Sequence, residues 1–464
     1  MFLLGQPYSP VRIAKGVEHA DGLAATLDSL IDDQPGLDRT TVTLKVVDLA
    51  SDRVLYDREG KVLLTPASVL KIYTTACALD VLGPDQRFPT RVESRGRIEE
   101  QTLHGNLRLV GGGDAMLNST ELRTLADRVV DEFGLRRIQG LVVVDNSRYA
   151  SPLKGPGWMW DDDPRYYNMS ITPLMVDFNV LRVNLRAVGD EIRAELDPPA
   201  SYPPLRSVSD REIEGKRVWR APFTHPLLVN ADQSLGEPNQ RRVEQLTMHD
   251  PAAWIAALFK KMIEERGVSF AAMRPQDGAN QISMKGEPSI VELPGATLGA
   301  ALYHLNKKSE NAVGEVVLHE IAVASGAETP DWESGAQAVT RWLVDRVGLA
   351  PDSFRIRDGS GLSRYNLISA DSAVKLLAFM HRHDQFDVFY ETLPNYALTD
   401  GDADHVEQIV AKPGGMSAVS TIAGYIRGRD DRLLAFALLA NGLHGTNAPV
   451  RELRQRVWQT LLKY

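Results

Sequence analysis

The sequence predicts an α+β protein in which five strands form one antiparallel sheet, helices pack on its faces, and a long β-rich insertion interrupts the chain. Residues 41–56 carry two alternating apolar segments around a polar turn, which is typical of a β-hairpin. Three further apolar segments, at residues 408–411, 419–426 and 433–439, have the spacing of strands joined by hairpin turns. Strands joined by short turns run antiparallel, so we expect the two groups to share one sheet.

Apolar residues with helical spacing flank these strands and also fill the region between them. They occur at residues 18–31, from Leu298 onwards, and at residues 312–323, 335–347 and 450–462. These segments are the helices that we expect on the faces of the sheet.

Residues 88–289 have a different character, with short alternating segments between glycine and proline turns. The alternating segments lie at residues 103–110, 140–144, 180–185 and 192–196. We therefore predict a discontinuous domain made of residues 1–87 and 290–464, with residues 88–289 inserted as a β-rich region of two small subdomains. A chain of 464 residues is also too long for one simple core.

Composition and charge exclude several classes of partner. The net charge of -9 argues against nucleic acid or anionic lipid as the main partner. No apolar segment approaches the length of a transmembrane helix, and the first residues lack the pattern of an intact secretory signal. The single cysteine, Cys77, excludes an intramolecular disulfide. We expect either a cytoplasmic protein or a mature or truncated form of a secreted one.

Ser68 and Lys71 are the first candidates for catalysis. They lie at the start of a predicted helix that ends at Gly83 and Pro84, and their spacing places both side chains on one helix face. A lysine beside a serine at the positively polarised start of a helix can make the hydroxyl nucleophilic without a histidine. The same pattern also fits a capping serine with a surface lysine.

The Ser-x-x-Lys pattern recurs at Ser151 and Lys154 and at Ser372 and Lys375. The first copy lies among prolines and glycines and is expected to be a loop. The second lies on a plausible helix, so further motifs must decide between it and Ser68.

Two short motifs complete the pattern around Ser68. Ser309-Glu310-Asn311 is the one Ser-x-Asn in the chain, and Lys412-Pro413-Gly414 is the one Lys-x-Gly. Ser-x-x-Lys, Ser-x-Asn and Lys-Thr/Ser-Gly in this order form the active site of penicillin-binding proteins and class A β-lactamases. Taken singly, Ser309 and Asn311 could end one helix and begin the next, and Lys412 could be an edge-strand charge.

With these motifs the chain resembles the D-alanyl-D-alanine carboxypeptidase/endopeptidase family, the low-molecular-mass class C penicillin-binding proteins. The similarity extends over about residues 40–445 and includes Asp358-Gly-Ser-Gly-Leu-Ser-Arg364 and the blocks at residues 66–84, 111–114, 156–161 and 419–425. It implies a serine β-lactamase/penicillin-binding-protein transpeptidase-like domain, with a five-stranded antiparallel sheet flanked by helices and a characteristic β-rich insertion.

The resemblance also implies an activity, a substrate and a location. The expected enzyme is a serine-type D-Ala-D-Ala carboxypeptidase, with an endopeptidase activity left open. Its partners would be peptidoglycan stem peptides, and β-lactams would inhibit it covalently. It would need no metal or cofactor. Such work belongs to the periplasm or the extracytoplasmic envelope, which would mean that a secretion signal is missing from this chain.

The resemblance assigns a role to each site residue. Ser68 would attack the carbonyl of the D-Ala–D-Ala bond, and Lys71 would be the general base, with a pKa lowered by burial and by the charge of Lys412. Ser309 would pass a proton to the leaving amine. Asn311 would either hold a peptide oxygen of the substrate or position Lys71.

The third motif would bind the end of the substrate. Lys412, with Pro413 and Gly414, would receive its terminal carboxylate, and the backbone N–H groups of Ser68 and Gly415 would form the oxyanion hole. Asp358 and Arg364 are expected to brace a loop.

The third motif departs from the family pattern of Lys-Thr-Gly-Thr, because Pro413 and Gly415 replace two hydroxyl-bearing residues. Proline donates no hydrogen bond, so this strand should lie at an edge of the sheet there or have its N–H side free. Ser417 and Ser420 are candidate replacements, and the acidic residues 400–405 add negative charge nearby. The departure keeps two alternatives open: a related acyl-serine hydrolase, such as an esterase or D-amino-acid amidase, or a weakly active relative that binds peptidoglycan.

Overall fold

The computed structural model describes residues 22–150, 152–188, 191–222, 224–232, 240–271, 289–396, 409–428 and 431–464. The chain forms two compact units. The first consists of Met1–Gln86, Gly155–Gly157 and Leu298–Tyr464, and the second of Arg87–Lys154 and Trp158–Thr297. Gly155–Gly157 lie within the insertion in the sequence but belong to the first unit in the structure, which was not predicted. The division of the insertion into two subdomains stays a prediction.

One antiparallel sheet organises the first unit, with the described strands in the order β19-β20-β21-β22-β1-β2. Their bounds are β1 Thr41–Asp48, β2 Arg53–Arg58, β19 Asn395–Tyr396, β20 Ile409–Met416, β21 Val419–Arg427 and β22 Leu433–Asn441. The five predicted strands are confirmed. The sixth, β19, has only two residues, which is too short for a periodic pattern. A separate two-stranded sheet consists of β17 Phe354–Arg355 and β18 Leu367–Ile368.

Helices lie on both faces of this sheet. Their bounds are α1 Leu23–Asp32, α2 Lys71–Val81, α6 Leu298–Lys307, α7 Asn311–Ala324, α8 Trp332–Trp342, α9 Ala370–His381, α10 Phe386–Thr392 and α11 Ala448–Lys463. The helices predicted at residues 18–31, 312–323, 335–347 and 450–462 are confirmed with shifted ends, and residues 18–21 lie outside the described part. The last turn of the third of these, Leu343–Val347, is a π-helix.

The faces of the sheet differ in what they bury. On one face, α1 and α11 pack with the strands in a core that contains Leu27, Leu44, Phe436 and Leu453. On the other face, α9 packs against β22 and β1, and α2 lies between α7 and the neighbouring helices. Residues 71–79 of α2 are all buried, so this helix lies in the interior of the unit.

In its described residues, the second unit contains four small sheets, in the orders β10-β9-β14, β11-β13-β12, β15-β7-β5-β4 and β16-β3-β6-β8. The strands are β3 Thr90–Ser94, β4 Arg97–Glu99, β5 Thr102–His104, β6 Leu107–Val110, β7 Arg137–Ile138, β8 Val142–Asp145, β9 Val180–Val188, β10 Glu191–Asp197, β11 Leu205–Val208, β12 Val218–Trp219, β13 Leu227–Asn230, β14 Arg241–Thr247, β15 Ser269–Phe270 and β16 Ser289–Leu293.

The second unit also contains helices that the sequence analysis missed, namely α3 Ser119–Phe133, α4 Asp210–Ile213 and α5 Pro251–Glu264. A signal for α3 was present, because Asn118 forms a capping box with Glu121 and the leucines that follow have helical spacing. The strand predicted at residues 103–110 is two strands, β5 and β6.

In the described part of the chain, no helix combines the length and the apolar character that crossing a bilayer requires.

Candidate active site

Ser68 lies in a single 3-10 turn, Ala67–Leu70, that leads directly into α2. Its side chain is half-buried, and the preceding residue, Ala67, has a φ of 46°. This left-handed conformation is costly for a residue with a side chain. Contacts hold the turn in place: the Cα of Gly361 lies so close to the carbonyl of Ala67 that a side chain there would overlap it.

Lys71 is fully buried and surrounded by oxygen acceptors. Its Nζ lies 2.9 Å from Ser68 Oγ, 2.8 Å from Asn311 Oδ1 and 2.7 Å from the carbonyl oxygen of Ser360. Burial lowers the pKa of Lys71 to about 8, although Asp358, Glu315 and Glu310 act in the opposite direction. A neutral amine is therefore accessible near neutral pH.

The Ser-x-Asn segment connects α6 to α7. Ser309 has a φ of 60°, Glu310 caps α7, and Asn311 is the first residue of that helix. The segment therefore has the structural role of connecting two helices. It also places the side chain of Asn311 against Lys71.

Lys412, on β20, is 1% exposed, and its Nζ contacts Ser309 Oγ at 2.9 Å and the carbonyl of Pro413 at 3.1 Å. Burial and the charge of Lys71 lower the pKa of Lys412 well below its ordinary value. The charge of Lys412 was expected to help lower the pKa of Lys71. Instead, burial lowers the pKa of Lys71, and the charge of Lys71 helps to lower the pKa of Lys412. The contact with Ser309 therefore connects Lys412 to the same Ser-x-Asn segment whose Asn311 contacts Lys71.

Strand β20 passes close to the Ser68 turn at Gly414. A Cβ at Gly414 would lie 2.6 Å from the carbonyl oxygen of Pro66 and 2.9 Å from the nitrogen of Ser68, so the position requires glycine. Gly415 has more room, since a Cβ there would meet nothing closer than Asn447 Nδ2 at 3.7 Å. The third motif therefore lies directly beside the turn that carries Ser68.

The direction of the β20 N–H groups follows from the pairing. Ala411 N donates to the carbonyl of Pro394 at 2.9 Å, on the β19 side of the strand. Successive N–H groups of a strand alternate in direction, so the nitrogens of Pro413 and Gly415 also face that side, away from β21. Pro413 consequently removes no hydrogen bond from the β20–β21 ladder.

Two groups of the Lys71 environment were missed as functional candidates: the Ser360 carbonyl and the Glu315 carboxylate. The carboxylate of Glu315 accepts from Gly359 N and Ser360 N, each at 2.9 Å. Asp358 accepts from Gly361 N at 2.8 Å and from Asn366 Nδ2 at 2.7 Å, which confirms that it braces a loop. The block at residues 358–364 was a signal for this loop, but a carbonyl's direction cannot be read from a sequence.

The other sequence candidates lie elsewhere. Ser372 is buried and contacts the hydroxyl of Tyr73, and Lys375 pairs with Asp371 at 2.7 Å. Ser420 is buried opposite Gly415, whereas Ser417 is exposed in the turn after β20. Ser151 and residues 400–405 lie outside the described residues.

Arg364 extends from the loop to the carbonyl of Ser417, at 3.4 Å. The loop at residues 358–364 therefore reaches the turn that joins β20 to β21.

A serine hydroxyl held against a buried lysine amine, beside a second buried lysine, defines the class of active-site-serine hydrolases that work through a Ser–Lys pair. The sequence profile of the D-Ala-D-Ala carboxypeptidase 3 (S13) family matches residues 23–461. The chain belongs to this family and is a serine-type D-Ala-D-Ala carboxypeptidase.

Individual relatives agree with this assignment. The chain is 28% identical to a D-alanyl-D-alanine carboxypeptidase of Actinomadura sp. (strain R39), over 92% of this chain and 82% of that protein. Penicillin binding protein 4 from Haemophilus influenzae has a similar structure, with a TM-score of 0.77 and 21% identity over 94% of this chain and 99% of that one. A structure of that protein complexed with a β-lactam gives a TM-score of 0.73 at 20% identity, again over 94% and 99% of the two chains. These likenesses confirm the predicted fold.

Proposed function

We propose that the chain releases the terminal D-alanine of peptidoglycan stem peptides through an acyl-enzyme on Ser68, and that the same chemistry cuts D-Ala cross-links. The observation that carries the proposal is the set of contacts at Lys71, which joins the hydroxyl of Ser68 to a buried amine with a lowered pKa. The family to which the chain belongs supplies the substrate class.

Lys71 is the general base of acylation in this proposal. A neutral amine has two N–H groups and one lone pair. The carbonyl oxygens of Asn311 and Ser360 take the two N–H groups, so the lone pair is directed at Ser68 Oγ. As Oγ attacks the carbonyl carbon of the D-Ala–D-Ala bond, the hydroxyl proton moves to Lys71 Nζ.

The negative charge that develops on the carbonyl oxygen needs N–H donors. We assign these to the backbone of Ser68 and of Gly415, because β20 lies against the Ser68 turn and the N–H of Gly415 faces away from β21. Removal of one such donor typically raises the barrier by about 2.7–4 kcal/mol.

Collapse of the tetrahedral intermediate breaks the C–N bond, and the leaving amine takes up a proton. Ser309 is suited to relay it: its hydroxyl, which contacts Lys412 Nζ, gives its proton to the leaving nitrogen and takes up in exchange the proton that Lys71 received from Ser68, so that Lys71 is neutral again. Water then attacks the acyl-enzyme, with Lys71 again accepting the proton, and hydrolysis restores the Ser68 hydroxyl.

Lys412 would bind the terminal carboxylate of the substrate. A carboxylate beside Lys412 favours the charged amine and so opposes the lowering of its pKa by burial. β-Lactams carry a similar carboxylate next to a reactive amide, so we expect them to acylate Ser68 covalently. Because peptidoglycan lies outside the cytoplasm, we assign the protein to the extracytoplasmic envelope.

Labelling with a fluorescent penicillin, together with an assay of D-alanine release from a pentapeptide, tests the proposal. We expect the wild type to be labelled and to release D-alanine, and the Ser68→Ala variant to do neither. Absence of both signals in folded wild-type protein would overturn the acyl-enzyme mechanism.

The Pro413 and Gly415 replacements favour one second candidate, a related acyl-serine hydrolase with weak recognition of a free carboxylate. Labelling of Ser68 without D-alanine release, together with hydrolysis of an ester or amide substrate, would support this alternative.

A further inference from the structure

Glu315 is a fully buried carboxylate that lies one helical turn after Asn311 on α7. Residues four apart on a helix share a face, so α7 presents both side chains to the same region of the site. Asn311 contacts Lys71 directly, whereas Glu315 contacts the loop that supplies the third acceptor of Lys71.

The Gly359–Ser360 peptide is held at both ends. Its N–H donates to Glu315 Oε1 at 2.9 Å, and its carbonyl accepts from the Thr74 hydroxyl at 2.7 Å. Glu315 Oε2 accepts from Gly359 N at 2.9 Å. The next peptide carries the Ser360 carbonyl that lies 2.7 Å from Lys71 Nζ. Rotation of the first peptide would therefore turn this carbonyl away from the lysine.

Close backbone packing supports the same contact. A side chain at Gly314 would meet the carbonyl of Gly359 at 3.0 Å, and one at Gly359 would overlap the carbonyl of Gly314. The helix and the loop therefore meet at the residue before Glu315, and the geometry leaves little freedom for the loop to move.

We propose that Glu315 is a positioning residue: by holding the Gly359–Ser360 peptide, it keeps the Ser360 carbonyl on Lys71 and thereby directs the lysine lone pair at Ser68. The inference rests on the proposed function, in which Lys71 is the base.

The charge of Glu315 also acts on the titration of the site. Its neighbours Gly359 N–H, Ser360 N–H and Trp332 Nε1–H are all donors, which suits an ionised carboxylate. Burial and the charge of Asp358 raise the pKa of Glu315 to about 8, and these hydrogen bonds oppose the rise. The charged groups that face Lys71 are Asp358 from the loop, Glu315 and Glu310 from α7 and its cap, and Lys412 from β20. The neighbouring His319 has a pKa lowered by burial, so it adds no positive charge at neutral pH.

The test is the pH profile of the acylation rate with a chromogenic cephalosporin. Glu315→Gln removes the charge and one of the two acceptors of the loop N–H groups. We expect the plateau rate to fall at least about tenfold and the acid limb to move to lower pH by about half a unit or more. Two effects of the substitution move the acid limb of the profile to lower pH. The rate no longer depends on the ionisation of Glu315, and Lys71 loses a negative neighbour that raised its pKa.

Trp332→Phe provides a second variant that keeps the charge and should fold. It removes one donor to the ionised carboxylate, at 3.0 Å, so we expect the acid limb to move to higher pH with only a small loss of plateau rate. Asp80→Asn is the matched control. Asp80 is a carboxylate of the same helix as Lys71 that bonds to Trp342 and His383, away from the site. It should lower the thermal stability and leave the limb unchanged.

The inference would be overturned if Glu315→Gln lost rate but kept the acid limb of the wild type. It would also be overturned if the acid limb stayed unchanged in both Glu315→Gln and Trp332→Phe. Failure of the proposed function is separable, since it appears as an unreactive wild type. In that case, the pKa of Lys71 can be measured directly by NMR titration of protein labelled with ε-¹³C-lysine, with the Lys71 signal assigned from its loss in Lys71→Arg. We expect this pKa to be lower in Glu315→Gln than in the wild type. An unchanged pKa would overturn the inference independently.

Discussion

At the scale of single residues, the burial of Lys71 is the feature that we propose makes the Ser68 hydroxyl reactive. A lysine in water is almost fully protonated at neutral pH and cannot accept a proton. Inside α2, the cost of burying the ammonium group lowers the pKa of Lys71 to about 8, while the charges of three carboxylates keep it from falling further. The site therefore balances desolvation against nearby negative charge.

The lowered pKa of Lys71 predicts a pH profile for acylation. Because only the neutral amine accepts the Ser68 proton, the rate with a penicillin should rise with pH through about 8 and then reach a plateau. Stopped-flow labelling between pH 6 and 10 measures it. A rate that is flat, or that falls between pH 7 and 9, would contradict Lys71 as the base.

Pro413 and Gly415 predict a gain of function. Restoring Lys-Thr-Gly-Thr with Pro413→Thr and Gly415→Thr adds two hydroxyl donors, and a hydrogen bond to a charged group contributes about 1.5–3 kcal/mol. We expect kcat/KM for D-alanine release to increase roughly tenfold or more. A Cβ at residue 415 has nothing closer than 3.7 Å, so the side chain can be accommodated.

The matched control for this gain is Pro413→Val with Gly415→Val, which has the shape of threonine without the hydroxyl. An equal gain in the valine variant, or no gain in the threonine variant, would show that the missing hydroxyls are not what limits the enzyme.

At the scale of secondary-structure elements, the site depends on close contact between β20 and the 3-10 turn that carries Ser68. The hydroxyl of Thr421, on β21, bonds to the carbonyl of Pro66 at 2.6 Å, and Gly414 fills the space between the strand and the turn. Two backbone segments can approach this closely only where a side chain is absent.

The contact predicts opposite outcomes for two neighbouring glycines. Gly414→Ala would place a Cβ 2.6 Å from the Pro66 carbonyl and so push the strand from Ser68. We expect penicillin labelling to slow by about 100-fold, comparable to the loss of one oxyanion-hole donor. Gly415→Ala has open space and should stay within about threefold of wild type. Equal rates for the two variants would contradict the proposed role of this contact.

At the scale of the whole molecule, each described residue of the proposed mechanism lies in the first unit, which is built from distant parts of the chain. The ends of the insertion are adjacent, because Leu298 N donates to the carbonyl of Gln86 at 2.7 Å and Gly299 N to that of Pro84 at 2.8 Å. Among the residues that the structure describes, the apolar core between the sheet, α1 and α11 contains none from the second unit.

These contacts predict that residues 87–297 can be removed. Joining Gln86 to Leu298 by a short Gly-Ser linker should leave a cooperatively unfolding protein that still reacts with penicillin at Ser68. Its stability should fall, because the bond from Ser363 Oγ to the Pro156 carbonyl, at 2.6 Å, is lost. Near-UV circular dichroism and thermal unfolding test this, with Ser68→Ala in the shortened chain as the labelling control. Loss of cooperative unfolding would show that the first unit cannot fold alone.

The sequence alone was sufficient for the fold class, for five strands in one antiparallel sheet, and for the three motifs that contain Ser68, Asn311 and Lys412. Strand and helix periodicity is a local property, and a catalytic motif is recognised by residue identity and order. The helices of the insertion were missed although α3 carries a capping box, because the turns and short alternating segments that surround them favour strands.

Only the tertiary structure decided how the motifs work together. Lys71 and Asn311 are 240 residues apart in the chain, and their contact depends on the packing of α2 against α7. Likewise, the Ser360 carbonyl, the Glu315 carboxylate and the N–H direction of Gly415 have no signature in residue identity. The pKa of Lys71 follows from how far distant segments exclude water from it. Desolvation and backbone direction are properties of packed three-dimensional contacts, so they appear only once the chain has folded.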